Sequence, residues 1–336
     1  MSTTTSLQMV NRFMRKYRLD TVADFSSPQA LAALDCLNDA KEEILDSRSW
    51  SFDQRESAIS TIAVRTGVDT GTFTNGSLGV AGTTTENIAL VGDYALRVIP
   101  TDSSDRANTA HRVSTMFAGG GVLALALSEV YSGATVASDM DMFVAEYQFP
   151  SHANGDTQVK QLLSMTNQER PVRLVEIDKN FHFDRLITRL HDSIGSDPDV
   201  VYYGRPVSNT VAVGGTNNVR DGFIVFPVPT SSARLDYTYQ YAYPTLALVT
   251  DTLSHVPEKV INCIVELAFG FSLNTKFGND PNMADRVIKA ALIRAERLHR
   301  SDRKMPNRSK PVRSMDNVGG THTSGRRISN DLIAGY

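Results

Sequence analysis

The chain has 336 residues, 41% of them hydrophobic, with a formal net charge of -3 and a pI near 6.2. This length allows two or three domains, and the slight acidity excludes a protein built throughout around nucleic-acid binding. Two cysteines, Cys36 and Cys263, are too few for a disulfide-stapled secreted domain and favour a reducing compartment. The N-terminus lacks the pattern of a signal peptide, and the longest apolar stretch, 122–127, is too short to span a bilayer. We therefore expect a protein without a membrane span, made in a cytoplasm.

The first fifty residues contain two helical patterns. Ser6 is predicted to cap a short first helix. Ser27 is a suitable N-cap for a second helix, and Pro28 suits its first position, where a backbone N–H has no partner anyway. Trp50 and Phe52 follow the end of the second helix and are expected to enter a core. Residues at steps of three and four form one stripe of the second helix, apolar except for one lysine: Ala30, Leu31, Leu34, Leu37, Lys41, Ile44 and Leu45.

From about residue 58 to residue 150 the sequence predicts strands and turns. This segment is rich in Gly, Thr and β-branched residues, which favour short strands joined by hairpins. The glycine runs at 119–121 and 214–215 lack a following Lys-Ser or Lys-Thr, so they indicate turns or bulges and not a phosphate loop. Residues 157–168 are predicted to form a short helix, and strands are predicted again within 200–243.

Helical patterns return after Pro257 and continue to about residue 300. The first carries an apolar stripe of Val260, Ile261, Ile264, Leu267, Ala268 and Phe271. Asp280 is predicted to cap the second, with Pro281 at its first position. The stripe of that second helix consists of Val287, Ile288, Ala291, Leu292, Ala295 and Leu298. Residues 301–336 are polar, with seven Lys or Arg against three Asp, and cannot bury enough apolar surface to fold alone.

The order of these elements predicts an α+β fold. We expect a helical bundle built from both chain ends, with an inserted antiparallel β domain that is sandwich-like or barrel-like, and an extended C-terminal tail. The predicted domains are the two halves of the helical frame at 1–57 and 251–300, the β-rich insertion at 58–250, and an extended basic C-terminal arm at 301–336.

Three stretches together resemble the head-to-tail adaptor (connector) proteins of short-tailed double-stranded DNA bacteriophages. The first is LDCLNDAKEEILDSRSWSF at 34–52, a helix with Asn-x-Ala-x-x-x-Ile that ends in Trp-x-Phe. The second is GRP at 204–206 followed by FIVFPVPTSSARLDYTYQYAYPTL at 223–246, and the third is the helix pair of 256–305 with its Asn-Asp-Pro break. The resemblance covers about half of the chain and none of residues 60–150.

The resemblance implies a structural virion protein that forms a ring. Such adaptors dock below the portal protein at the head-to-tail junction of the virion, commonly as a dodecamer, and extend the DNA channel. The implied partners are the portal, tail nozzle and tail fibre proteins, other copies of this chain in a homo-oligomeric ring of twelve, and genomic DNA that passes through without sequence-specific binding. A channel that lets a duplex slide should avoid strong phosphate clamps, which agrees with the small negative charge of the chain.

The resemblance implies one set of site residues, and the helical patterns predict another. By position in the family, the tail 301–336 is implied to be a portal-binding arm, and a disordered basic segment can order on a partner over a large surface. The arm residues are Arg303, Lys304, Arg308, Lys310, Arg313, Leu332, Ile333 and Tyr336. The predicted core of the helical frame consists of Leu34, Leu37, Ile44, Trp50, Phe52, Ile264, Leu267, Phe271, Ile288 and Leu292.

No sequence pattern predicts catalysis, a cofactor or a metal. The chain lacks the Walker, dinucleotide-binding, HExxH and GxSxG motifs, so we expect a protein that is not an enzyme. Asp139 and Asp141 suit a solvated turn before a strand better than a metal site, because no further ligand lies close in sequence. His182 and His191 do not have the spacing of a helical metal site. Glu42 and Glu43 are adjacent on a helix, so they cannot both face one sugar-sized cleft.

Four tyrosines alternate along one predicted strand and would share one face: Tyr237, Tyr239, Tyr241 and Tyr243. A core or subunit interface is the favoured role, and a carbohydrate- or base-stacking platform is the alternative. Two other functions remain open for the whole chain: a β-rich receptor- or glycan-binding tail component and, with less support, a tail-associated cell-wall hydrolase. Helical patterns at both termini favour the adaptor, since tail spikes and fibres are typically β throughout.

Overall fold

The structure is a computed structural model that describes residues 4–84, 91–101, 110–152, 157–169, 172–176, 200–275 and 280–304. The described residues form four α-helices: α1 (Ser6–Lys16), α2 (Pro28–Lys41), α3 (Glu258–Thr275) and α4 (Pro281–Lys304). A π-helical turn, Glu42–Asp46, continues α2, and a 3-10 turn, Ser51–Asp53, follows it. The predicted α+β class is confirmed, with helices at both ends and a β-rich middle.

Fourteen strands lie between the helices in the described residues. They are β1 (Gln54–Ser60), β2 (Arg65–Phe73), β3 (Gly79–Thr83), β4 (Tyr94–Pro100), β5 (His111–Gly119), β6 (Val122–Leu127), β7 (Val136–Gln148), β8 (Val159–Asn167), β9 (Val172–Arg173), β10 (Val175–Glu176), β11 (Val200–Ser208), β12 (Val211–Ala212), β13 (Val219–Phe226) and β14 (Arg234–Tyr241). Where a short helix is predicted for 157–168, the structure has β8, so that prediction is wrong.

Compact packing divides the chain into two units. The first unit, here called the helical unit, consists of residues 1–54 and 240–336, and the second, the β unit, consists of residues 55–239. The sequence places these boundaries at 57/58 and 250/251. The difference at the second boundary has a physical reason, because Tyr243 and Leu246 pack into the core of the helical unit.

The core of the helical unit draws on both ends of the chain. Residues of α1 and α2 pack with residues of α3 and α4, and α3 packs against α2, α1 and α4. Both cysteines, Cys36 and Cys263, are free and buried in this core, where burial raises the pKa of the Cys263 thiol. They act as small core residues.

Local capping chemistry sets where the helices begin. Ser27 accepts a hydrogen bond from the N–H of Ala30 with Pro28 at the first helical position, so the predicted start of α2 is confirmed. Asp280 accepts from the N–H of Met283 at the start of α4, as predicted. The predicted cap of α1 is wrong by one residue, because Thr5 and not Ser6 is the N-cap.

Thr5 forms a capping box in which its hydroxyl accepts from the N–H of Gln8, while the Gln8 side chain accepts from the N–H of Thr5. Ser6 lies one position further on. It donates its hydroxyl to the carbonyl of Leu248 and its N–H to the carbonyl of Asp251, which ties the start of α1 to the chain just before α3.

Six strands of the β unit close into a barrel in the order β7-β2-β3-β6-β5-β4 and back to β7. Every pairing around this ring is antiparallel. Because the ring of strands closes, the structure contains a barrel, which is one of the two predicted forms. Strands β10, β11 and β13 extend the same sheet from β7, and β12 pairs with β5. A separate four-stranded sheet has the order β1-β14-β8-β9.

The β4–β5 pairing is the shortest in the barrel and carries a buried ion cluster. Only two residue pairs form it, Arg97 with Arg112 and Val98 with His111. The carboxylate of Glu146 on β7 is fully buried and accepts hydrogen bonds from both arginines. We call this pairing with its ion cluster the barrel seam.

Candidate assembly surfaces of the helical unit

The predicted frame-core residues lie together in the helical unit. Leu34, Leu37, Ile44, Trp50, Ile264 and Leu267 are buried in its core, and Phe52, Phe271, Ile288 and Leu292 are partly buried against it. Trp50 connects the two chain ends, because its indole N–H donates to the carbonyl of Ile44 at 3.0 Å and the His299 ring of α4 packs edge-on at 5.0 Å. Asp302 near the end of α4 accepts from the backbone N–H and the hydroxyl of Ser51.

The apolar stripe predicted for α2 is wrong at Leu31, and its one polar member, Lys41, is buried with hydrogen-bond partners. Leu31 is 48% exposed, because the buried face of the first turn is set by Ala30. Lys41 is buried, and its Nζ donates to the carbonyls of Tyr243 and Pro244 at 3.2 and 2.9 Å. The lysine therefore satisfies backbone acceptors in the loop that enters the helical unit from β14.

An acidic groove lies where α2 ends. It has a volume of about 730 Å³ and is lined by Asp39, Glu42, Glu43, Asp46, Ser47, Phe271 and Asn274. Asp39, Glu42 and Glu43 are exposed, while the side of the same turn that carries Ile44 and Leu45 is buried. The helix and its π-helical turn contain five acidic residues and one lysine, Lys41, which is the buried one. The exposed face of this segment is therefore strongly acidic.

A second groove with the opposite character lies on α4. It has a volume of about 400 Å³ and is lined by Arg48, Leu292, Ile293, Glu296, Arg297 and Arg300. Helix α4 contains seven basic and three acidic residues. A hydrogen bond from Arg300 holds the pKa of Glu296 below its ordinary value, so this carboxylate stays charged between Arg300 and Arg48. The exposed face of α4 is basic, and Ile293 at its centre is 54% exposed.

The sequence predicts these two faces through the spacing of charged residues along the helices, which a search for catalytic motifs does not detect. The acidic residues Asp35, Asp39 and Glu43 recur every four positions along α2 and its π-helical turn. Arg286, Arg297 and Arg300 lie on the exposed side of α4. Each pattern alone describes a solvated helix face. The separation of sign between two helices of one unit is the informative feature.

The predicted portal-binding arm is only partly described. Arg303 and Lys304 belong to the last turn of α4, so the helix continues four residues past the predicted start of the arm at 301, and Arg303 is exposed. The remaining arm residues lie outside the described residues: Arg308, Lys310, Arg313, Leu332, Ile333 and Tyr336.

The acidic pair on β7 is held by protein groups. Asp139 and Asp141 lie within β7 and not in a turn before a strand, so that detail of the prediction is wrong. Asp139 accepts from the Thr70 hydroxyl, and Asp141 accepts from the N–H of Gly67. Within the described ranges, no three His, Cys, Asp or Glu residues lie close enough to hold a metal ion. His182 and His191 fall outside those ranges.

The tyrosine-rich strand faces inward and not toward solvent. Tyr237, Tyr239 and Tyr243 are buried, and Tyr241 is partly buried. Tyr237 packs against the rings of Phe149 and Phe223 at 6.1 Å in the β unit, whereas Tyr243 donates to Asp53 in the helical unit. These contacts fit the predicted core role, and buried rings offer no stacking platform.

The glycine runs form turns, as predicted. Gly120 and Gly121 connect β5 to β6 with φ angles of 61° and 80°, and Gly214 has a φ angle of 86°. Side chains other than hydrogen are strained in this left-handed region, so glycine permits the tight β5–β6 hairpin.

No protein-family model matches the sequence, and no curated protein matches it. Among the described residues, no helix is both long enough and apolar enough to cross a membrane.

Proposed function

We propose that this chain is a structural head-to-tail adaptor that forms a ring below a viral portal, extends the DNA channel and docks tail components. One observation carries the proposal. The first and third stretches that resemble such adaptors, and the end of the second, meet in one core although about 200 residues separate them. Trp50 of the first stretch contacts His299 of the third, and Tyr243 of the second donates to Asp53.

The proposed architecture is a helical bundle made by both chain ends, with the β unit as an insertion between them. The shared core of α1, α2, α3 and α4 supports the bundle, since every buried member of that cluster lies before residue 54 or after residue 240. In this proposal the basic segment that follows α4 is the arm that binds the portal. The β unit would then be free to contact tail nozzle or tail fibre proteins.

The proposed role needs no catalysis, metal or cofactor. The grooves of the helical unit are lined by charges of one dominant sign, and in the acidic groove the carboxylates of Glu42 and Glu43 belong to successive residues of one turn. Such surfaces suit protein–protein contacts, where charge complementarity guides association. We place the protein in the virion, at the junction of head and tail, with genomic DNA passing through the ring.

A mass measurement tests the proposal. The full chain is purified and measured alone and after mixing with the portal protein encoded in the same genome. We expect a complex that contains one copy of this chain for each portal subunit, twelve in total for a dodecameric portal, as the resemblance implies. An absence of portal binding would exclude the adaptor. Trimers formed without portal would instead favour the receptor- or glycan-binding tail component.

Deletion of residues 305–336 tests the arm separately. The deletion leaves α4 and its contacts with Ser51 in place, since Asp302 lies before the deleted segment. We expect the shortened chain to lose most of its affinity for the portal while keeping its circular dichroism spectrum. If the shortened chain binds the portal as tightly as the full chain, the arm does not bind the portal, but the proposed ring is unaffected.

A further inference from the structure

Helices α2 and α4 expose faces of opposite charge on one unit. The segment Pro28–Lys41 with its π-helical turn has five acidic residues against one buried lysine, and α4 has seven basic residues against three acidic ones. Resting on the proposed ring, we propose that the acidic face of α2 in one copy docks onto the basic face of α4 in the next copy. The occupant of each groove is thus a second copy of this chain.

The order of the helices fits a contact between different faces. Helix α3 packs against both α2 and α4, so its neighbours flank it. The exposed residues of α2 and of α4 lie on the sides that do not pack on α3. An interface that joins two different patches is heterologous, and repeated copies of it close into a ring or continue as a filament.

Apolar residues within both faces supply the desolvated part of the contact. Leu31 on the acidic face of α2 is 48% exposed and Ile293 on α4 is 54% exposed. Phe271 lines the acidic groove, and Leu292 lines the basic groove beside Ile293. Burying such side chains contributes the hydrophobic part of the association free energy.

The charges set which faces meet. An acidic face against another acidic face, or a basic face against another basic face, is repelled at a cost of several kcal/mol, so only the unlike pairing is favourable. Exposed ion pairs are screened by salt, and the Debye length falls from about 10 Å at 0.1 M to about 3 Å at 1 M. The association should therefore weaken steeply as salt is added.

Two charge-reversal variants of the full chain test the pairing. Glu42→Lys with Glu43→Lys leaves the segment 28–46 with three acidic residues and three lysines, and Arg297→Glu with Arg300→Glu leaves α4 with five basic and five acidic residues. Each variant therefore removes the net charge of one face. All four side chains are exposed, so both variants should fold, which circular dichroism checks. We expect self-association, measured by sedimentation velocity at low salt, to weaken ~tenfold or more in each variant, which corresponds to a loss of about 1.4 kcal/mol of association free energy.

Mixing the two variants is the decisive measurement. In an equal mixture, the unaltered faces of the two variants pair as in the wild type, and the introduced lysines of one variant can meet the introduced glutamates of the other. Association should therefore return to within about threefold of the wild-type value. A matched control, Asp20→Lys with Glu129→Lys, reverses two exposed acidic residues outside both grooves and should change nothing. Failure of the mixture to associate, or a control as defective as the variants, would overturn the pairing.

The outcomes separate this inference from the proposed function. If the wild-type chain binds portal in the expected number but the mixture does not recover, the ring uses other surfaces and only the pairing of α2 with α4 falls. If the mixture recovers but the chain does not bind portal, the contact between copies stands and the adaptor function falls. A wild-type chain that stays monomeric in low salt also counts against the pairing.

Discussion

Lys41 interrupts an otherwise apolar helical stripe, and its burial shows how one polar residue can serve a core. Lysine is almost never fully buried unless it has partners, and here two carbonyls of the chain that follows β14 accept from its Nζ. Periodicity places Lys41 on the inward face, but no local pattern reveals that residues two hundred positions away supply the acceptors. The position was therefore predictable from the sequence, and the partner was not.

Substitution of Lys41 by methionine should destabilise the chain. The stem still fills the core, but the carbonyls of Tyr243 and Pro244 lose this donor, which costs about 1–3 kcal/mol. Urea unfolding measures the loss. As a control, Lys289→Met removes an exposed lysine whose Nζ lies 3.5 Å from Asp285, and it should shift the unfolding free energy by less than ~0.5 kcal/mol. Equal effects of the two substitutions would contradict the role of Lys41.

Glu146 offsets the repulsion between two arginines at the barrel seam. Arg97 and Arg112 lie directly opposite each other on β4 and β5, and like charges in that arrangement repel. The buried carboxylate of Glu146 accepts from both. Removing one partner of a buried ion pair leaves an uncompensated charge and costs about 3–5 kcal/mol. We therefore expect Glu146→Gln to lower the unfolding free energy of the β unit by about that amount, as measured by guanidinium unfolding.

Glu56→Gln is the matched control for Glu146, since it removes an exposed carboxylate on β1, a strand of the same unit that is not part of the barrel. Its effect should stay within ~0.5 kcal/mol, which is typical of surface substitutions. A Glu146 variant as stable as this control would show that the ion cluster does not hold the seam.

At the scale of elements, the capped helices were the most predictable part of the chain. Ser27 with Pro28 and Asp280 with Pro281 act through contacts three residues away, so the sequence contains the whole signal. Strand β8 was missed because its buried positions, Val159, Leu162 and Met165, are spaced by three, which imitates a helix. Its pairing with β9 and β14 overrides that local preference.

The close approach of β2 and β3 makes a sharp prediction for one glycine. A Cβ at Gly82 would lie 1.8 Å from the carbonyl oxygen of Thr70, a backbone atom of the paired strand. Gly82→Ala should therefore disturb the β2–β3 ladder and cost about 1–3 kcal/mol, which thermal unfolding detects. Gly79→Ala on the same strand is the control, because the nearest atom to its Cβ is the Ser77 Oγ at 3.8 Å. Two alanine variants of equal stability would refute the clash.

At the scale of the whole molecule, the core of the helical unit contains no residue of the β unit. The core cluster of the helical unit takes its buried members from before residue 54 and after residue 240. Helical periodicity predicted most of these residues, since each stripe is local. The sequence left a sandwich and a barrel open for the β domain, because closure depends on pairings such as β4 with β7 that no local pattern specifies.

Excision of the β unit tests this independence. A variant in which a short Gly-Ser linker replaces residues 55–239 should still fold, because it keeps the core from Met9 to Trp50 and from Tyr243 to Ala295. We expect a helical circular dichroism spectrum and one cooperative thermal transition. In the same background, Leu37→Ala should lower the midpoint by removing a fully buried side chain. A featureless melt would show that the helices need the β unit to fold.

The barrel seam also makes the stability of the β unit depend on pH. His111 is paired with Val98 there, and burial lowers the pKa of its imidazole below 6.5. The Glu129 carboxylate acts in the opposite direction, and the Arg97 charge lowers this pKa further. As the pH falls through 6.5, the unfolded chain takes up this proton before the folded chain does, so stability is lost. A closed barrel has no edge strand from which to fray, so strand separation should begin at the pairing with the fewest residue pairs, β4 with β5. The wild-type melting temperature should fall more between pH 7 and about 5.5 than that of His111→Gln, and parallel curves would exclude this imidazole as the trigger.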